Sequence, residues 1–286
     1  MMYAAALRSD GPEADFDPLA AVRSHGVLAL AARSEGSVTR RARVREQGAL
    51  RMRFPAESPH RLDAVVVNVA GGMAGGDVYD CAFTAERHAN LVVTSAAAEK
   101  VYRALAAPTR CGVRLKVEAE ATLVYLPQES ILFDRARITR RYDIDVAASG
   151  RLVAVDAVIL GRAAMGERVT SLIWRDAWRL RRDGALVWAD ATRIEGDAQA
   201  LLAAAAAGGG ARAFATLLYA GPDAAGRIEP LREALRGPAA CEAAVTAFDS
   251  LLVARFVARE GHALRAALVD ALAVLPGGAL PRSWST

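Results

Sequence analysis

Residues 152–160 read Leu-Val-Ala-Val-Asp-Ala-Val-Ile-Leu, an apolar run broken by a single charge at Asp156. A carboxylate among Val153, Val155, Val158 and Ile159 is costly to bury unless it is paired with a cation, bound to a metal or turned toward water in a cavity. Arg162, just beyond the run, and Arg103 are the cations expected to meet it. The plainer alternative is an Asp156 that points outward from an otherwise apolar strand.

Two further segments could carry chemistry. Residues 67–77, Val-Asn-Val-Ala-Gly-Gly-Met-Ala-Gly-Gly-Asp, lead an apolar strand into the pairs Gly71, Gly72 and Gly75, Gly76 and close on Asp77. Such glycines permit positive φ and leave little side chain between the main chain and whatever lies on it. As a phosphate loop the turn fails, because no Lys-Ser or Lys-Thr follows Gly76 and Asp77 would repel a phosphate. As a dinucleotide fingerprint it fails too, since Ala70 stands at the first glycine position and Val78, Tyr79, Cys81 and Phe83 continue as a strand, not a helix. A structural corner and a contact for a partner or ligand both remain. The other segment, Leu126-Pro127-Gln128-Glu129-Ser130-Ile131-Leu132-Phe133-Asp134, breaks a strand at Pro127 and brackets an apolar patch with Gln128, Glu129 and Asp134. That patch is either a docking surface or a strand whose Ile131 and Phe133 turn inward.

Metal and nucleophile chemistry find little local support. His25, His60, His88 and His262 stand alone, and Cys81, Cys111 and Cys241 are widely spaced without a CxxC. Reduced thiols and no tight metal centre are expected, with Cys81 and His88 on adjacent strands the one weak pair. There is no GxSxG elbow, and Ser95, Ser130 and Ser171 have no histidine near them in sequence.

The elements that must position these residues follow from period and composition. At 286 residues, 53% hydrophobic and 24% charged, the chain is long enough for a sizeable core. It is read as one domain over residues 1–286, with the first twenty loosely ordered. The absence of a signal-like N-terminus or a long apolar run predicts a cytoplasmic protein away from membranes. The formal charge of +4 is carried by arginine, Lys100 and Lys116 being the only lysines. Without aromatic platforms or a basic stripe, nucleic acid is not an expected partner. From about Val38 to Ala191 the period is two: Val113, Leu115 and Val117 share a face, as do Ile138, Arg140, Tyr142, Ile144 and Val146. Roughly a dozen strands at about ten-residue spacing, without crossover helices, predict a mainly β fold, antiparallel or coiled. Two helices are expected in the last third, at 197–207 and 261–275, each stopped by glycines.

Residues 68–77, 94–103 (Thr-Ser-Ala-Ala-Ala-Glu-Lys-Val-Tyr-Arg), 126–134 and 160–167 (Leu-Gly-Arg-Ala-Ala-Met-Gly-Glu) occur in the order and at the spacing of the urease accessory protein UreD family, also called UreH. The chain resembles that family strongly over residues 38–195, and its Pro281-Arg282-Ser283-Trp284 is similar to the family's ending. It departs at Val69-Ala70, where Thr-Ser or Thr-Ala is more usual, and at 95–98, where the family tends to have Thr and Gln or Pro. The resemblance implies a non-enzymatic scaffold that binds apo-urease, docks UreF and through it the GTPase UreG, and helps pass Ni²⁺ onward with no tightly bound cofactor. It implies a β-helix-like, largely antiparallel fold with two short helices and an internal water-filled tunnel. Asp77, Asp156 and Asp190, with Glu129 and Glu167, are then the acids expected along that tunnel. Gly71, Gly72, Gly75, Gly76, Arg103, Pro127, Gln128, Phe133, Asp134 and Arg162 are expected to be structural or partner contacts. Carboxylates and water spaced along a wall suit transit of such a dication better than a closed Cys/His set that would trap it. Two other readings of the residues alone are a β-scaffold docking another protein through 126–133 and a nucleotide-binding enzyme built on the glycine turn.

Overall fold

The computed structural model describes residues 22–55, 58–236, 240–277 and 280–284; the expectation for the first twenty residues lies outside them. Strands β1 (His25–Glu35) and β2 (Val38–Gln47) form a hairpin, and β3 (Leu50–Arg53) pairs with β4 (Leu62–Asn68). The chain then winds through β5 (Val78–Ala85), β6 (Asn90–Ser95), β7 (Glu99–Val101), β8 (Thr109–Val117), β9 (Thr122–Leu126) and β10 (Ser130–Leu132). It continues through β11 (Arg137–Val146), β12 (Arg151–Leu160), β13 (Leu172–Arg182) and β14 (Ala185–Gly196). Helix α1 (Ala198–Leu202), β15 (Ala213–Ala220), α2 (Ile228–Ala234), β16 (Cys241–Phe248), β17 (Leu251–Ala258) and α3 (Gly261–Ala273) complete it.

The winding deals strands alternately to two sheets. A seven-stranded sheet runs β14-β13-β11-β8-β5-β1-β2, and a ten-stranded sheet carries β16-β17-β15-β12-β9-β6-β4-β3 with β7 and β10 beside them. Because from β4 to β13 the chain returns to one sheet only after visiting the other, neighbours within a sheet start from the same end and run parallel, as β5, β8, β11 and β13 do. On the facing side β4, β6, β9 and β12 do the same. The mainly β, β-helix-like architecture is as expected, but the strand direction is corrected: the stacked coils are parallel, and antiparallel pairing is confined to flanking strands such as β1–β2, β13–β14 and β12–β15. Period two encodes which face a residue occupies and carries no information on direction. Tight corners replace crossover helices. His88 and Glu120 take φ 61° and 59° at two successive corners and meet there at 3.3 Å.

The ten-stranded sheet is covered on both faces. Leu91, Leu123 and Leu152 face Phe83, Leu115 and Ile144 of the opposite sheet, while Val92, Val124, Val153 and Val155 pack outward beneath Leu264, Leu268 and Leu272 of α3. That is why β12 reads as a continuous apolar run. Each such side chain contributes about 2 kcal/mol by leaving water. The seven-stranded sheet has a bare outer face, where exposed Arg110, Arg114, Arg175 and Arg179 alternate with buried residues. Three helices form where two were expected. The expected 197–207 helix stops at Leu202, capped at its start by Asp197 accepting from the Ala200 amide, and a short 3-10 turn follows over Ala205–Ala207. Helix α2 was not anticipated; its seven residues are too short for a periodic signal, and Pro230 in its first turn masks it. Among the described residues no helix is long and apolar enough to cross a membrane.

Candidate functional site

Asp156 faces inward from the middle of β12 and is 8% exposed, so its cost of burial must be met locally. It is met by Arg140, on the inward face of β11, rather than by Arg162 or Arg103. Arg140 Nη1 and Nη2 donate to Asp156 Oδ1 and Oδ2 at 2.8 and 2.6 Å. The same guanidinium reaches Asp176 on β13, through Nε at 2.9 Å and through Nη2. Arg140 Nη1 also donates to the Ser130 hydroxyl at 3.1 Å, and the Tyr142 hydroxyl donates to Asp156 at 3.1 Å. Tyr142 is fixed by stacking on Trp178, with ring centroids 3.9 Å apart. Register explains the cluster: Arg140 pairs with Asp176 across β11 and β13, and Asp156 approaches from the facing sheet.

Three buried charged groups sum to −1. Burial pushes the Asp156 carboxyl upward, Arg140 pulls it back and Asp176 adds to the rise. Burial works against the charge on Arg140, yet the two carboxylates hold its pKa well above the ordinary range. Buried ion clusters are poor sources of stability, so their position is the informative property. Asp156 lies on the wall of two cavities at once. A smaller one of about 110 Å³ is lined by Arg140, Tyr142, Glu99, Cys81 and Cys111 among others. A larger one of about 610 Å³ is lined by Asp176, Trp174, Trp178, Thr192 and Arg255, and it reaches the exposed Arg193 and Leu201.

The other expected tunnel acids are spent elsewhere. Asp77 is 4% exposed, but its carboxylate caps the glycine turn, accepting from the Ser24 amide at 2.8 Å, the Ala74 amide at 2.7 Å and the Tyr79 hydroxyl at 3.3 Å. Glu129 pairs with Arg265 of α3 at 3.0 Å. Glu167 closes a surface loop, accepting from the Asp134 and Arg162 amides and from Arg162 Nε at 3.1, 2.9 and 2.8 Å. None of these three lines either cavity. Asp190 stands one strand beyond Asp176's, on β14, and meets Arg255 of β17, a residue of the larger cavity's wall. Two acids that matter were not anticipated: Asp176, and Glu99, which lines the smaller cavity and takes 3.2 Å hydrogen bonds from the Asn68 amide. Burial pushes the Glu99 carboxyl up to about 7, against that hydrogen bond.

The motif residues are absorbed within the molecule. Gly71, Gly72 and Gly76 take φ 75°, 147° and 89°, whereas Gly75 is required by space: a Cβ there would stand 2.4 Å from Ala104 Cβ and 2.7 Å from the Ala107 carbonyl. Gln128 donates to the Ser283 carbonyl at 3.0 Å and meets Arg265, whose guanidinium lies over Trp284 at 4.6 Å. The 126–134 segment therefore latches α3 and the 280–284 tail. Pro127 lines the smaller cavity. Phe133 packs edge-on against Tyr102 at 5.3 Å with Arg162 over its ring at 4.3 Å, and Asp134 accepts from the Thr170 and Ser171 amides. Arg103 is exposed, its backbone bridging to Ala136. Cys81 and His88 do not form a pair: Cys81 faces the smaller cavity from β5, and burial pushes its thiol up to about 12. Among the described residues no three His, Cys, Asp or Glu side chains converge as a metal-ligand set.

The structure is thus a two-sheet β-coil with a buried charged cluster set between two cavities. In comparison with known proteins, residues 24–285 match the family model described as UreD urease accessory protein. The chain is 47% identical to the urease accessory protein UreD of Xanthobacter autotrophicus over 92% of its own length and 91% of that protein. It is 42% identical to UreD of Rhodopseudomonas palustris (strain BisB18), covering 93% and 95% of the two chains. It is also 42% identical to UreD 3 of a Bradyrhizobium species (strain BTAi1), covering 97% and 99%. The chain belongs to the UreD urease accessory protein family, whose members are accessory proteins and not enzymes.

Proposed function

We propose that this chain is a urease maturation scaffold that binds apo-urease, docks UreF and through it UreG, and carries Ni²⁺ in transit between its two sheets. The observation that supports the transit is the position of Asp156 on the wall shared by the two cavities. A dication of this kind accepts carboxylate oxygen and water, and a path needs such groups in sequence without a closed cage that retains the ion. Asp176 and Asp156, followed by Glu99, supply them from the larger cavity to the smaller. Water in the cavities keeps these acids hydrated at the faces that the protein leaves open.

Thr192 tests the path because it lines the larger cavity opposite Asp176 in the β13–β14 register and lies on an edge strand. Thr192→Trp fills that space and leaves all three charged residues of the cluster unchanged. Its expected outcome is a folded chain that still assembles with UreF and urease, with urease activation by Ni²⁺ reduced at least fivefold. Unchanged activation at equal complex formation would remove the cavity from the route.

A further inference from the structure

The geometry points to Arg140 as a movable plug: its guanidinium, held between Asp156 and Asp176, closes the wall between the two cavities, and an entering dication opens the wall by taking its place on the two carboxylates. This rests on the transit reading above and names what regulates it.

Position comes first. Arg140 lines the smaller cavity, Asp176 the larger, and Asp156 both, so the three bonded side chains stand in the wall between them. The manner of holding comes next. Among the described residues every hydrogen bond of the guanidinium goes to a side chain, namely Asp156, Asp176 and Ser130, and none goes to the backbone. It can therefore leave without disturbing a strand, and the 110 Å³ cavity beside it gives it room to withdraw. Asp156 stays in place when it does, because it keeps the hydrogen bond from Tyr142, which is stacked on Trp178.

Charge sets the selectivity. Two carboxylates and one guanidinium leave one negative charge buried, whereas two carboxylates and a dication balance. A monovalent ion brings no more charge than the guanidinium and lacks its planar set of donors, which matches carboxylates bidentately. The partition therefore yields to divalent ions and stays closed to monovalent ones. The neighbouring charges favour the same direction of travel: Arg255 on the larger cavity is engaged with Asp190 and Thr216, and Glu99 waits on the smaller one.

The test is the initial rate of urease activation at limiting Ni²⁺, measured in the complete complex of this chain with its accessory proteins and apo-urease. Arg140→Lys keeps the charge but replaces the fork by a point charge that cannot bind both carboxylates bidentately. Its expected result is a rise of at least threefold in initial rate per folded complex. A residue serving only stability gives a lower yield of complex and no rise. Ser130→Ala, which removes one acceptor from Arg140 and spares both carboxylates, gives a smaller rise and serves if Arg140→Lys folds poorly. Equal or lower rates for both variants at equal complex would overturn the plug. Thr192→Trp run alongside separates the two ideas: if it blocks activation while the Arg140 and Ser130 variants do not hasten it, the path stands and the plug falls. If it leaves activation untouched, the path itself falls.

Discussion

Asp77 and Asp156 are both buried aspartates, 4% and 8% exposed, and they are held in opposite ways. Asp77 is held mainly by main-chain amides, those of Ser24 and Ala74, which fix it to a turn whose Gly75 packs against residues 104–107, and it lines neither cavity. Asp156 is held by side chains, Arg140 and Tyr142, and has a cavity on either side. Backbone donors cannot withdraw without refolding the segment; a guanidinium can rotate away. Burial alone therefore does not distinguish a structural acid from a working one. The nature of the partner and the space around it do.

The difference predicts where added volume is tolerated. Gly75→Val is the largest expected effect. Its Cβ meets backbone and Ala104 at 2.4–2.8 Å, and overpacking against main chain costs about 3 kcal/mol or abolishes folding. Urea unfolding and soluble yield check it. A soluble variant of unchanged stability would show that the turn has slack and would weaken its contrast with the cavity wall, where Thr192→Trp is expected to fold.

Glu99 sharpens the contrast from the cavity side, as an acid bonded by the Asn68 side-chain amide and the Lys100 backbone. Its pKa is raised by burial from 4.5 to about 7, so the folded chain binds this proton more tightly than the unfolded chain does. The stability tied to it is full below pH 4.5 and is lost as pH rises through 7, by on the order of 3 kcal/mol. Glu99→Gln keeps a group for Asn68 to bond and removes that dependence. The gap in unfolding free energy between variant and wild type should widen in the variant's favour from pH 5 to pH 8. A constant gap would mean that the smaller cavity solvates Glu99 fully.

Much of this was readable in the residues. Alternation placed Arg140 on the same face as Ile138, Tyr142 and Ile144, and the structure buries all four. Asp156 was legible as a buried charge in need of a cation. Its partner was sought in Arg162 and Arg103, near the family motifs, although a guanidinium on an apolar face was already the stronger signal. Asp176, between Trp174 and Trp178 on the inward face of β13, carries the same signal. What alternation could not give was the parallel stacking of coils, in which the β11–β13 register joins residues 140 and 176 and the facing sheet brings in residue 156. Asp77, Glu129 and Glu167 were assigned to the path by residue type, and only coordinates reveal that hydrogen bonds within the fold already occupy them.

The most direct measurement is one conservative substitution made at both aspartates. Asp156→Asn and Asp77→Asn are each assayed for unfolding free energy and for urease activation per assembled complex. The account predicts that Asp156→Asn, which leaves Arg140 balanced by Asp176, folds and assembles at a cost of up to about 3 kcal/mol, while activation per assembled complex falls at least fivefold. It predicts that Asp77→Asn lowers stability by about 2 kcal/mol, because an amide donor then faces backbone N–H groups, with activation per complex unchanged. Full activation by Asp156→Asn in an intact complex would contradict it.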